Sequence, residues 1–173
     1  MLYFAYGSNM ATQRLAARIP ARFITTALLP SYRLAFHQRS GDGSGKCDIV
    51  PASEQACVYG VIWEIASHHK PTLDRYEGLG HAYDETTLLV TDLHSTREFE
   101  VQAYVGKQTA QGMRPYHWYK HHVLSGAREH SLPTAYIRAL ERIDALDDPD
   151  DERHQREMAI HAPGALLSGR VSV

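Results

Sequence analysis

Gly7-Ser8-Asn9, at the exit of Leu2-Tyr3-Phe4-Ala5-Tyr6, and Glu77, within Asp74-Arg75-Tyr76-Glu77-Gly78, are the residues of this chain best suited to chemistry. A strand that breaks into a Gly-Ser-Asn turn and then a helix exposes backbone N–H groups, which suit a carboxylate or an oxyanion. Ser8 adds a hydroxyl, and Tyr3 and Tyr6 are spaced to wall a pocket. The same residues also serve as an ordinary glycine turn and helix cap. Glu77 falls in the last turn of an expected helix, where the negative end of the dipole disfavours its charge. A carboxylate so placed is suited to taking up and returning a proton near neutral pH.

Other reactive residues make weaker patterns. His117 and His121 stand at i and i+4, but Trp118 occupies the glutamate position of H-E-x-x-H and no third ligand is evident. No metal is therefore expected, and His68-His69 and His121-His122 read as surface pairs. Gly41-Asp42-Gly43-Ser44-Gly45-Lys46 has the wrong spacing for a phosphate-binding loop, and Cys47 follows Lys46 where Ser or Thr is needed. It reads as a flexible surface loop. Cys47 and Cys57 form no C-x-x-C pair and read as neutral thiols.

The elements that must position Gly7 and Glu77 follow from periodicity. Leu2–Tyr6, Phe23–Leu29, Arg33–His37, Val58–Ile65 and Thr86–Thr91 read as strands. Phe99, Val101, Ala103 and Val105 alternate with Glu100, Gln102 and Tyr104, the mark of a half-buried strand. Ala11–Ile19 suits a helix ended by Pro20, with Met10, Leu15 and Ile19 on one face. Pro71–Glu77 suits a second, with Gly78 just past its end. Tyr116, Tyr119 and Val123 line one face of a third. Tyr136, Leu140 and Ile143 line a fourth, opened by Pro133. Asp147-Asp148-Pro149-Asp150-Asp151 reads as a solvated stop. Strands that do not alternate strictly with helices argue for an α+β fold, a small mixed β-barrel or curved sheet flanked by helices.

A length of 173 residues fits one domain, taken as 1–147, followed by a tail of uncertain order at 148–173. The net charge of −2 leaves no basic excess for phosphates, so nucleic acid is not expected as a partner. No apolar run approaches membrane-spanning length and no leader precedes the first strand, so a cytoplasmic protein is expected. Nothing in the sequence distinguishes a monomer from a homodimer.

Taken together, the chain resembles the γ-glutamylcyclotransferase family. Tyr3-Phe4-Ala5-Tyr6-Gly7-Ser8-Asn9-Met10 is similar to the family's opening Y-F-A-Y-G-S-N-L, and Leu73-Asp74-Arg75-Tyr76-Glu77-Gly78 carries the glutamate of its acid/base motif. Tyr83 follows in a strand. Tyr119-Lys120, Gly126-Ala127-Arg128-Glu129, Leu132-Pro133 and Tyr136 keep the order of its Y-K, G-A-K-E, L-P and Y. The resemblance implies a small barrel with a pocket at one mouth and no cofactor. It implies conversion of γ-glutamyl amino acids or peptides to 5-oxoproline plus free amino acid. Glu77 would be the acid/base. Tyr3, Phe4, Ala5, Tyr6, Gly7 and Ser8 would form the substrate cradle. Asn9 would brace it, and Tyr83 and Tyr119 would complete the substrate site. The alternatives are a related lyase acting on γ-glutamyl amines and a non-catalytic relative that binds a small anion.

Overall fold

The computed structural model describes residues 1–162. In chain order the strands are β1 (Leu2–Ala5), β2 (Arg22–Pro30), β3 (Tyr32–Arg39), β4 (Gly45–Pro51), β5 (Cys57–Glu64), β6 (Tyr83–Asp92) and β7 (Glu98–Gly106). The helices are α1 (Thr12–Ala16), α2 (Lys70–Glu77), α3 (His117–Glu129), α4 (Thr134–Glu141) and α5 (Asp151–Ala159). Short 3-10 turns precede α1 and α2, at Ser8–Met10 and Ser67–His69.

Five strands close into a barrel in the order β1-β5-β2-β6-β7, while β3 and β4 form a separate hairpin. The barrel is mixed: β1 runs antiparallel to β5 and parallel to β7, meeting it at Tyr3 and Gln102. Closure removes the exposed edges that an open five-stranded sheet would carry. Phe4, Ala27, Val58, Val61, Ile62 and Val90 are wholly buried. Met10, Leu15 and Ile19 share one buried face, as their spacing predicts. The regular part of that helix is only Thr12–Ala16, and the Ile19 N–H still donates to the Leu15 carbonyl.

Several expectations are corrected. Residues 45–51 form β4, which alternation does not reveal because both Cys47 and Asp48 are buried. The preceding loop is tied down: Asp42 Oδ1 accepts from the Ser44 N–H at 2.9 Å, and the Tyr116 hydroxyl donates to the Asp42 carbonyl at 2.9 Å. Tyr104 should face solvent by alternation, yet it is buried, because α2 covers it and Asp74 accepts its hydroxyl at 2.6 Å. The acidic run is not simply solvated. Asp148 is buried beneath Trp118 Nε1 (2.7 Å) and Arg153 Nε (2.6 Å), and Asp150 caps α5 by accepting from the Arg153 N–H at 2.8 Å. His122 is not a surface residue either. It lies on the buried face of α3 with its side chain fully covered. Of the expected tail, residues 163–173 lie outside the described residues.

Candidate active site

β1 ends at Ala5, and the chain leaves the barrel through Tyr6 and Gly7 into the 3-10 turn. The Tyr6 hydroxyl donates to the Tyr104 carbonyl, which fixes this exit against β7. Gly7 has φ −120°, open to any residue, so backbone angle is not what requires glycine here. Close approach is the reason. A Cβ at position 7 would sit 3.0 Å from Cys47 Cβ and 3.2 Å from the Tyr119 hydroxyl oxygen. The Gly7 and Ser8 carbonyls accept from Met10 and Ala11, whereas the Gly7 and Ser8 N–H groups meet no acceptor among the described residues. Those two donors are available to a ligand.

α2 opens with Pro71 in its first turn and ends because Gly78 takes the left-handed conformation, φ 67° and ψ 45°. The Leu79 N–H then closes back on the Asp74 carbonyl at 2.9 Å. Glu77 is thus the last helical residue, with a side chain only 15% exposed. Its Oε1 accepts from Asn9 Nδ2 and from Arg18 Nη1, both at 2.8 Å. Its Oε2 has no hydrogen-bond partner among the described residues. One oxygen is anchored and the other is free to meet a substrate.

Asn9 is the brace between these parts. Its Nδ2 also donates to the Tyr3 hydroxyl at 3.1 Å, its Oδ1 accepts from Arg18 Nη1 at 3.0 Å, and its carbonyl accepts from Trp63 Nε1 at 3.1 Å. Every hydrogen-bonding atom of the side chain is used, so the amide holds one orientation.

Tyr3, Tyr6, Tyr83, Tyr104 and Tyr119 complete an inner pocket of about 30 Å³ with Gly7, Ser8, Asn9, Cys47 and Glu77. The Tyr83 hydroxyl donates to the Cys47 carbonyl at 2.9 Å, and the Cys47 N–H donates to the Tyr119 oxygen at 3.0 Å. Burial, and after it the nearby Glu77 charge, pushes the Tyr3 hydroxyl well up, so it stays protonated. Burial likewise pushes the Cys47 thiol up to about 12, which keeps it from serving as a nucleophile. Phe4 and Ala5 lie elsewhere. Both are buried and neither lines the pocket.

The inner pocket opens into a cleft of about 310 Å³ that shares Ser8, Glu77, Tyr83 and Tyr119 with it. Arg14 and Arg18, one helical turn apart, both reach this cleft. Burial, then the neighbouring Arg18 charge, lowers Arg14 to about 10, which leaves it cationic at neutral pH. Arg14 Nη1 pairs with Glu157 of α5, and Glu157 in turn meets His122 Nε2 at 3.1 Å. Burial alone would raise Glu157, but the His122 hydrogen bond and the Arg14 charge hold it low. His117 and His121 do not converge: His117 faces Asp147 at 3.7 Å, while His121 faces Ser125 at 3.4 Å. Among the described residues no three His, Cys, Asp or Glu side chains form a metal set.

Residues 57–140, which span β5, α2, β6, β7, α3 and nearly all of α4, match the AIG2-like family model. Curated proteins named gamma-glutamylcyclotransferase from Bos taurus and Homo sapiens are each 29% identical over 151 residues, covering 84% of this chain and 80% of theirs. A solved structure described as a gamma-glutamyl cyclotransferase is 26% identical with a TM-score of 0.81, covering 90% of this chain and 98% of that one. The chain is similar to γ-glutamylcyclotransferases over most of its length. Among the residues of this site, Arg14, Arg18, Cys47 and Tyr104 are not marked by the sequence motifs. The i, i+4 spacing of the two arginines was a readable signal. What it lacked was any indication that their face turns toward Glu77.

Proposed function

We propose that this protein converts a γ-glutamyl amino acid to 5-oxoproline and free amino acid, with Glu77 carrying the proton. The observation that supports this best is the division of labour on its carboxylate: Oε1 is held by Asn9 and Arg18, and Oε2 is free beside the inner pocket. The substrate supplies both nucleophile and electrophile. Its α-amine attacks its own γ-carbonyl, forming one C–N bond and closing a five-membered lactam, and the original amide C–N bond breaks. The ammonium nitrogen gives up two protons, one before attack and one as the lactam N–H forms; Glu77 carries them in turn to the departing nitrogen, which leaves as an ammonium, so atoms and charge balance.

Such a reaction asks little of the protein. Well-oriented intramolecular attack is worth about 7–11 kcal/mol of barrier. Proton transfer by a positioned carboxylate contributes about 10²–10⁴-fold more. The Gly7 and Ser8 N–H groups, unpaired within the chain, are suited to the glutamyl α-carboxylate or to the oxyanion that develops at the γ-carbon. Tyr3, Tyr6, Tyr83 and Tyr119 wall that space. Tyr119 closes over it beside Cys47. The chemistry runs on these side chains and main-chain donors alone.

No helix among the described residues is long and apolar enough to cross a membrane. The test is product analysis with γ-glutamyl-alanine. The expected result is 5-oxoproline and alanine in equal amounts. Tight binding of 5-oxoproline without any turnover of γ-glutamyl amides or amines would overturn the reading in favour of a small-anion binder.

A further inference from the structure

α5 forms one wall of the outer cleft, which Arg153 and Glu157 line. No residue of Asp151–Ala159 is fully buried, and Met158 supplies the apolar contact of the helix with the core. Polar links therefore do most of the holding, and they fall into two groups. At the start of α5, Arg153 binds both oxygens of Asp148, to which Trp118 Nε1 also donates at 2.7 Å, and Asp150 caps the helix. At its end, Glu157 pairs with Arg14 and meets His122 Nε2 at 3.1 Å. Just beyond, His161 Nε2 meets His122 Nδ1 at 2.6 Å.

Acid acts on these two groups differently. Hydrogen bonding to Arg153 holds Asp148 well below the ordinary carboxylate range, so the first group survives mild acid. The second does not. An ionised Glu157 only accepts, so His122 Nε2 carries a hydrogen. One hydrogen also serves the contact between the two rings, and a second there would set N–H against N–H at 2.6 Å. While docked, the pair holds at most one positive charge, whereas two freed imidazoles take up two protons below about pH 6.5. Arg14 from α1 and His121 from α3, itself beside Arg128, add positive charge around the pair, against Glu157 and Glu129. Undocking thus binds protons, and docking weakens as pH falls. We propose that α5 is an acid-released strap over the cleft, hinged at Arg153–Asp148 and clipped by the His122–His161 pair. Release takes Glu157 out of the cleft wall and leaves Arg14 without its carboxylate partner. Only the strap's effect on turnover rests on the cyclotransferase reading; its motion does not.

The test is amide hydrogen exchange read by peptide mass at pH 7 and pH 5, corrected for the intrinsic pH dependence of exchange. In the wild-type protein the opening of residues 151–161 should rise by about tenfold or more, the effect of one proton over that interval. Peptides from β5 should keep their protection, which separates release of the strap from global unfolding. His161→Gln still bonds to His122 but takes up no proton, and His122→Gln keeps a donor for Glu157. Both variants should lose most of the rise. Equal protection of 151–161 at the two pH values in the wild type, or the same rise in both variants, overturns the strap. KM for γ-glutamyl-alanine should climb more between pH 7 and pH 5 in the wild type than in His161→Gln. An equal climb overturns the gating of the cleft. A protein that opens in this way yet forms no 5-oxoproline would overturn the cyclotransferase reading and leave the strap standing.

Discussion

Asn9 Nδ2 donates to Glu77 Oε1 at 2.8 Å, joining the exit of the first strand to the end of α2 across 68 residues of sequence. This bond makes one unit of two motifs that the sequence shows separately. Asn9→Ala removes the donors to Glu77 and Tyr3 and the acceptor for Arg18, while Arg18 still reaches the carboxylate. The loss of buried partners should lower unfolding free energy by about 1–3 kcal/mol. Urea titration measures that cost. Steady-state kinetics should show a larger fall in kcat than in substrate affinity, because the carboxylate is freed and not removed. Wild-type kcat in this variant would mean that the brace is irrelevant to turnover.

Gly7 is required by the nearness of Cys47 and Tyr119. Gly7→Ala must push one of them away from contacts of 3.0 and 3.2 Å, a form of overpacking that costs about 1–3 kcal/mol. The barrel should still form, as far-ultraviolet circular dichroism would report, while activity falls sharply. Ser8→Ala leaves the backbone in place and should weaken 5-oxoproline binding, read by calorimetry. Unchanged affinity would mean that the Ser8 hydroxyl takes no part in binding.

His122 gives the fold a pH dependence. Burial lowers it to about 4 from an ordinary 6.5, with Glu157, His161 and Arg14 as its charged or titratable neighbours. Between those values the unfolded chain binds more protons than the folded one, so stability is full above about pH 6.5 and declines as pH falls toward 4. The slope contributed is at most about 1.4 kcal/mol per pH unit. Denaturant midpoints measured from pH 7 to pH 4 should show it, and His122→Gln should flatten the curve across that window. A wild-type midpoint that stays constant there contradicts the assignment.

Cys47 and Cys57 should differ in reactivity. Cys47 is buried with its thiol pushed up to about 12, while Cys57 is half-buried at the start of β5. Native protein treated with iodoacetamide near pH 8 should carry the label on Cys57 by peptide mass. Prior labelling of Cys47 would show that the tyrosine wall opens far more readily than its packing implies.

Much of the barrel could be read from one dimension, since β1, β2, β5, β6 and β7 each carry a local pattern of β-branched and aromatic residues. The helix that ends at Gly78 was equally readable, because Pro71 and Gly78 are local signals. What escaped depended on contacts distant in sequence. Tyr104 is buried by α2, His122 by α5, and Asp148 by Trp118 and Arg153. The acidic run 147–151 contained a helix cap at Asp150, but without knowledge of a buried Trp118 it reads as a solvated break. Glu77 was seen as a carboxylate governed by its helix end, whereas Arg18 adds a cation at 2.8 Å that no local rule supplies.

The most direct test of the proton-shuttle role is a paired measurement on Glu77→Gln: release of 5-oxoproline from γ-glutamyl-alanine, and binding of 5-oxoproline. Glutamine keeps the shape and an acceptor for Asn9 and Arg18 but cannot carry the proton. Turnover should fall by about 10²–10⁴-fold or more with product affinity largely kept. Turnover within a few-fold of wild type would contradict the account.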